Sequence, residues 1–273
     1  MEVEKEIQRE YNPAHPNYER WEKARNLSDN RAKFVESLLS NELIIEGLKI
    51  LDIGAGEGST SKFLSQKNLV ISLEPKFERI KKIPRINSLQ PIIADSLDLP
   101  FKVSTFNIII LQDVIEHLII TEKLISDLIY LLKENGIIYL STPNRFSFLN
   151  VISDPHWGMP LLCLFRREHI RKYFLKYFRK SDYQRDDIAD LLSLKDVINL
   201  FSNDFSINIC TKFSVDYLLS GGKGLVWSKF HLGLVKYLKE FGLDKLIGRI
   251  ANDEIGITNK FLTPTFYIIL KKK

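Results

Sequence analysis

Between Leu48 and Ser141, short apolar runs alternate with segments of helical periodicity, and few folds accept that alternation. The runs are Leu48–Ile53, Leu69–Leu73, Pro91–Ala94, Phe106–Leu111 and Ile137–Ser141, each rich in Ile, Val or Leu. Between them Ser59–Gln66, Lys76–Lys82 and Glu122–Glu134 read as helices. The last carries Leu124, Leu128, Leu131 and Leu132 on one face, with a stop signal at Asn135-Gly136. Strands that are apolar throughout are buried on both faces, so the pattern predicts a mainly parallel sheet between layers of helices. Two further strands are expected at Ser206–Phe213 and Thr263–Leu270. Residues 1–20 read as an irregular arm, and residues 19–40 as helical with Ser28 or Asp29 as a cap.

Composition narrows the class. A chain of 273 residues that is 45% hydrophobic can bury one large α/β core. Its net charge of +5 permits an anionic ligand or surface but does not require nucleic acid. The two cysteines, Cys163 and Cys210, form no CxxC or Cys/His finger, which argues against a structural zinc and suits a reducing cytoplasm. Met1–Glu10 lacks the apolar run of a signal peptide, and no apolar stretch is long enough to span a bilayer. A cytoplasmic protein is the expectation.

The most informative local feature is the turn after the first strand, Asp52-Ile53-Gly54-Ala55-Gly56-Glu57-Gly58. Glycines there let the backbone adopt left-handed conformations and approach a ligand closely. At the carboxyl end of a parallel strand, such a loop lies where open α/β sheets bind nucleotides. The dinucleotide pattern needs glycine at position 59, which is Ser59, and the phosphate-loop Gly-Lys-Ser/Thr is missing. Acidic Asp52 and Glu57 at the loop mouth suit a cationic sulfonium and ammonium better than a pyrophosphate. The second strand ends at Glu74-Pro75, where a carboxylate can accept both ribose hydroxyl protons. The third is followed by Asp95-Ser96-Leu97, where a carboxylate and a main-chain amide can read an adenine edge.

Together these segments resemble the class I S-adenosylmethionine-dependent methyltransferases. The matching stretches are Leu51–Gly58, Glu74, Ala94–Phe101, Asp113–Leu118 and Leu132–Ile138, in the family's order and spacing. The nearest look is the branch holding ubiquinone and menaquinone biosynthesis methyltransferases and many glycan- or natural-product-modifying enzymes. The resemblance implies a Rossmann-like, doubly wound, seven-stranded sheet with an antiparallel last strand and helical inserts. It implies that S-adenosylmethionine is held by Asp52, Ile53, Gly54, Ala55, Gly56, Gly58, Glu74, Pro75, Asp95, Ser96, Leu97 and Gln112. Arg31 stands where quinone-pathway enzymes carry an arginine for the methionine carboxylate; a solvated helix arginine is the alternative. The expected organisation is one domain over 1–273: a helical cap at 1–45, a cofactor-binding half at 46–142, and substrate-side helical inserts at 143–205 and 214–262.

Methyl transfer asks mainly for alignment, and for a base only where the acceptor must lose a proton. The candidates are Asp113 and His117 after the fourth strand and His156 in Asp154-Pro155-His156-Trp157-Gly158. A packed turn is the alternative for His156. Asp113, Glu116 and His117 resemble an acid-x-x-Glu-His triplet that binds a divalent metal in some quinone-ring and RNA-end methyltransferases. Here it opens with Asp, and a structural role is preferred, so no metal ligand is assigned. The stretch Arg166–Lys180 is basic with apolar positions at helical spacing. It reads as a packed domain helix, with peripheral membrane contact through 159–180 as the alternative. The expected activity is methyl transfer to a hydroxyl of a small-molecule, glycan or lipid-linked acceptor. RNA methylation and a non-catalytic cofactor-binding module are the rivals, and nucleic acid is disfavoured because no RNA-binding module accompanies the domain.

Overall fold

A computed structural model describes residues 11–95, 99–185, 187–226 and 229–273. Seven strands form one sheet: β1 (Lys49–Ile53), β2 (Leu69–Leu73), β3 (Leu89–Ile92), β4 (Phe106–Gln112), β5 (Leu132–Pro143), β6 (Phe205–Ile209) and β7 (Thr265–Lys272). Their order is β3-β2-β1-β4-β5-β7-β6. Neighbours from β3 to β5 pair parallel, and β7 runs antiparallel to both β5 and β6. Strand order reverses beside β1, so a crevice opens at the carboxyl ends of β1 and β4.

Alternate residues of one strand feed two cores. Ile109 and Leu111 of β4 pack with Leu124 and Leu128 of α5 (Glu122–Leu131) and with Val197 and Phe201 of α7 (Leu194–Phe201). Ile108 and Ile110 face the other way, onto Phe34, Val35, Leu38 and Leu39 of α2 (Ser28–Leu39). Both faces are thus covered, as a run without polar alternation demands. Further helices include α1 (Tyr18–Asn26), α3 (Ser59–Leu64), α4 (Phe77–Ile80), α6 (Phe148–Ile152), α8 (Thr211–Leu219), α9 (Lys229–Glu240) and α10 (Asp244–Ile250).

Several boundaries differ from the sequence reading for identifiable reasons. Helix α5 stops at Leu131 rather than near Asn135, because Leu132 pairs with Phe106 in the sheet and the next matched pair is Ile137 with Ile108. The residues between stay within β5, where the pairing register shifts and a Cβ on Gly136 would lie 2.8 Å from Leu132 Cδ2. Asn135-Gly136 therefore lies at an irregularity inside β5 and does not mark the helix end. Strand β3 begins at Leu89, with Pro91 inside it; as an edge strand it tolerates a missing N–H. Strand β6 ends at Ile209, and Phe213 instead sits on α8, its ring 6.0 Å from Phe34. Within the expected arm, residues 1–10 lie outside the described residues, and α1 already starts at Tyr18. The basic stretch is helical in three pieces, Arg167–His169, a π-helical Ile170–Leu175 and Lys176–Phe178. Its aromatic face is split: Ile170 and Phe174 pack with Trp157, whereas Tyr173, Tyr177 and Phe178 are exposed.

Candidate active site

The glycine loop is built as the spacing requires. Gly54, Gly56 and Gly58 all have positive φ, at 70°, 58° and 77°. Their surroundings differ. A Cβ on Gly54 would lie 2.6 Å from Val114 Cγ2 and one on Gly58 2.6 Å from Ile83 Cγ1, whereas nothing stands within 4 Å of one on Gly56. Two glycines thus seat the loop on the protein, and the middle one faces open space. The amides of Gly54 and Ala55 donate to Leu73 O, at 2.7 and 3.0 Å, tying the loop to the end of β2. Ile53 is buried in the core beneath.

Glu74, at the end of β2, is buried and accepts from the Gly56 amide at 3.0 Å and from the Lys76 amide at 3.1 Å. Burial raises its pKa, with Arg79 opposing. Pro75 beside it is exposed. Asp52 and Glu57 both line the loop's cavity, but each is already engaged. The Asp52 carboxylate is buried, accepts from Ser61 Oγ, and is pushed up to about 7 by desolvation. Glu57 is paired with Lys82 at 2.7 Å and also accepts from Tyr11 Oη, while Arg25 lies 4.5 Å from the Tyr11 ring centre. The sequence could not show these partners, Ser61 for Asp52 and Lys82 and Tyr11 for Glu57.

A cavity of about 260 Å³ opens over the loop, lined by Gly54–Thr60, Asp52 and Gln112 on the sheet side. Ala24, Arg25, Ser28 and Arg31 close it from α1 and α2. Ser28 and Arg31 lie at i, i+3 on α2, one face of the helix, which the sequence spacing already shows. Gln112 Oε1 accepts from Thr60 Oγ1 at 2.7 Å, which fixes the last residue of β4 against α3. Arg31 forms an ion pair with Asp113. Asp113 has φ 54°, and its carboxylate accepts from Ser141 Oγ at 2.7 Å. Asp113 therefore belongs with Arg31 at the cofactor-side cavity rather than with the histidines. Asp95 is exposed just beyond β3, and Ser96 and Leu97 lie outside the described residues.

The histidines gather around Glu116 instead. One ligand atom from each of Glu116, His117 and His156 lies within 4.8 Å of the others. The two imidazole rings are 5.2 Å apart and edge-to-face. His117 Nδ1 is 2.7 Å from Asp187 O. Glu116 is 1% exposed; Oε2 accepts from Thr142 Oγ1 at 2.9 Å, and Oε1 has no hydrogen-bond partner. His156 Nε2 stands 3.9 Å from that oxygen. Desolvation, with Asp113 adding to it, pushes Glu116 up to about 8. Desolvation and neighbouring cations hold His156 well below the usual imidazole range, so it is neutral near pH 7. His117 is lowered as well, mainly by desolvation. Asp154 anchors the loop by accepting from the His156 and Trp157 amides at 2.8 and 2.7 Å. A carboxylate and two imidazoles form a donor set that suits a divalent transition-metal ion. His156 was not part of the sequence triplet because it arrives from a loop after β5.

A doubly wound α/β protein with a glycine-cradled cavity at the strand ends is the class these features define. A family model described as a methyltransferase domain matches residues 18–185, more than half of the 273-residue chain. The chain belongs to that family. It is 28% identical over 111 residues to the mitochondrial ubiquinone biosynthesis O-methyltransferase of Bos taurus, covering 37% of this chain and 30% of that protein. With the ubiquinone biosynthesis O-methyltransferase of Leptothrix cholodnii it shares 24% over 152 residues, covering 52% of this chain and 62% of that one. The matches thus span less than two thirds of the length of these curated relatives. An S-adenosylmethionine-dependent methyltransferase from Mesorhizobium loti has a TM-score of 0.53 at 13% identity, over 86% of this chain and 96% of its own. A putative one from Listeria monocytogenes also scores 0.53, at 11% identity over 89% and 99%. Both likenesses concern the fold. No helix among the described residues is long and apolar enough to cross a membrane.

Proposed function

We propose that the chain transfers the methyl group of S-adenosylmethionine to a hydroxyl oxygen of a small-molecule acceptor. The observation that carries the reading is the Gly56 cradle. An open-faced glycine lines a cavity of about 260 Å³ at the end of β1, and the buried Glu74 carboxylate at the end of β2 accepts from its amide. When bound, the cofactor supplies a methyl carbon activated by its sulfonium. Gly54, Ala55, Gly56 and Gly58 bring main chain against it, Glu74 accepts from its ribose, and Arg31, held by Asp113, takes its carboxylate. Asp95, Ser96 and Leu97 are assigned the adenine. The inserts 143–205 and 214–262, with the N-terminal cap, enclose the acceptor.

His156 is the proposed base. Its neutral imidazole can take the acceptor's hydroxyl proton, with Glu116 Oε1 3.9 Å from Nε2. His117 shares this pocket, oriented by Asp187 O. A second reading rests on the unpartnered Glu116 Oε1. A divalent cation held by Glu116, His117 and His156 would supply Lewis acidity that lowers the hydroxyl's pKa. Exposed Tyr173, Tyr177 and Phe178 beside Lys172 and Lys176 support peripheral membrane contact through 159–180. The test is His156→Ala, assayed by label transfer from S-adenosylmethionine to extract fractions with and without chelator. We expect cofactor affinity to hold and transfer to fall roughly 10²–10⁴-fold. Unchanged transfer would remove His156 from the mechanism, and loss of wild-type transfer with chelator would favour the cation.

A further inference from the structure

A second cavity, of about 360 Å³, lies between α8, α9, α10 and β7 and falls within the roughly 300–1,000 Å³ range of ligand sites. Its walls are mainly aliphatic, with Val215, Leu218 and Leu219 from α8 facing Leu234, Val235 and Leu238 from α9. Most of the polar side chains that reach it spend hydrogen bonds elsewhere, and His231, Thr265 and Tyr267 also line it. Thr211 Oγ1 donates to Asn259 Oδ1 at 2.6 Å, Ser214 Oγ to Cys210 O at 2.7 Å, and Asn150 Nδ2 to Pro264 O at 2.6 Å. Arg20 donates to Asp154 O at 2.9 Å. With walls that are mainly aliphatic, the cavity is suited to an apolar occupant.

The two ends of the cavity give its direction. Tyr267 closes the inner end and pairs across the sheet with Ser141, whose hydroxyl holds Asp113. That end therefore adjoins the Arg31–Asp113 pair of the cofactor cavity. At the other end Phe148, Ile250 and Leu262 line the cavity yet are 61%, 42% and 47% exposed, which marks them as its mouth. An apolar mouth leading to an apolar cavity that adjoins the cofactor side is what a chain-bearing amphiphile requires.

We propose that this cavity is a subsite for a single aliphatic chain, acyl or isoprenoid, carried by the methyl acceptor, with the chain entering past Phe148, Ile250 and Leu262. The assignment rests on the reading of the chain as a small-molecule methyltransferase and names the acceptor's apolar part. Its test is direct binding, independent of transfer. 11-(Dansylamino)undecanoic acid is titrated into the full chain by fluorescence, with S-adenosylhomocysteine affinity measured in parallel by calorimetry.

The wild type is expected to bind the probe saturably, one per chain, with displacement by oleate or geranylgeraniol showing which chain type fits. Val235→Trp fills the space and is expected to weaken probe binding roughly tenfold or more, with S-adenosylhomocysteine binding unchanged. Should Val235→Trp fail to fold, Leu238→Gln serves the same purpose by placing an unpaired amide in the wall. Non-saturable probe binding, or equal affinity in wild type and a folded variant, overturns the subsite. The two readings fail separately. Label from the cofactor found on a nitrogen or carbon, with the probe bound, overturns only hydroxyl transfer; label on a chain-free alcohol with no probe binding overturns only the subsite.

Discussion

Glu74→Gln is the sharpest probe of the cofactor wall. The Glu74 carboxylate offers about four acceptor sites. Two are taken by the Gly56 and Lys76 amides, at 3.0 and 3.1 Å, which leaves capacity for two ribose hydroxyls. A glutamine amide keeps one oxygen and turns the other position into a donor. Either Gly56 N–H or Lys76 N–H then faces an N–H₂, and one ribose contact is lost. A hydrogen bond to a charged group contributes about 1.5–3 kcal/mol, so losing one ribose contact lowers cofactor affinity roughly 10–150-fold. The unsatisfied buried amide costs a further ~1–3 kcal/mol of folding stability. Calorimetric titration with S-adenosylhomocysteine reads the first effect, and urea denaturation of the ligand-free protein reads the second. A variant that binds within about twofold of wild type, with unchanged stability, would refute the assignment of Glu74 to both loop and ligand.

Other substitutions separate the local causes. Gly56→Ala meets only the left-handed backbone cost of about 1–2 kcal/mol, whereas Gly54→Ala adds overpacking against Val114 of about 1–3 kcal/mol. Gly54→Ala should therefore melt clearly lower than Gly56→Ala, and equal melting temperatures would contradict that. Glu116 has its folded pKa raised to about 8, so its stabilising contribution is complete below the unfolded carboxylate value and fades as pH rises through 8. Relative to Glu116→Gln, wild-type stability should fall with a slope approaching about 1.4 kcal/mol per pH unit between those limits, measured by urea unfolding across pH. Identical pH profiles would place Glu116 in a far more solvated setting. Removing the Ser193 cap of α7, which accepts from the Asp196 amide within a capping box, should cost about 0.5–2 kcal/mol in Ser193→Ala by the same measurement.

The sheet was legible because its determinants are local. Apolar runs such as Phe106–Leu111 and the positive-φ glycines at 54, 56 and 58 express short-range rules, and both appear where the periodicity puts them. The error at α5 had a tertiary cause: Leu131-Leu132 continues a helical face, yet sheet pairing with Phe106 claims Leu132. The site was legible only in part. Glu74 at the end of β2 needs nothing but its strand, whereas the state of Glu57 depends on Lys82 and Tyr11, and that of Glu116 on His156. Those partners are separated along the chain, and no periodicity connects them. Asp113 shows the same limit, since its neighbours in sequence suggested Glu116 and His117 while the fold delivers it to Arg31.

The central claim is that the Gly54–Gly58 loop serves methyl transfer. Its most direct test is incubation of the full chain with methyl-labelled S-adenosylmethionine and fractionated extract, beside Gly56→Arg, whose side chain would occupy the cavity of about 260 Å³. The account predicts label in a small-molecule fraction for the wild type and none above background for Gly56→Arg. Wild-type protein that leaves every fraction unlabelled while binding a nicotinamide dinucleotide more tightly than S-adenosylmethionine would contradict it.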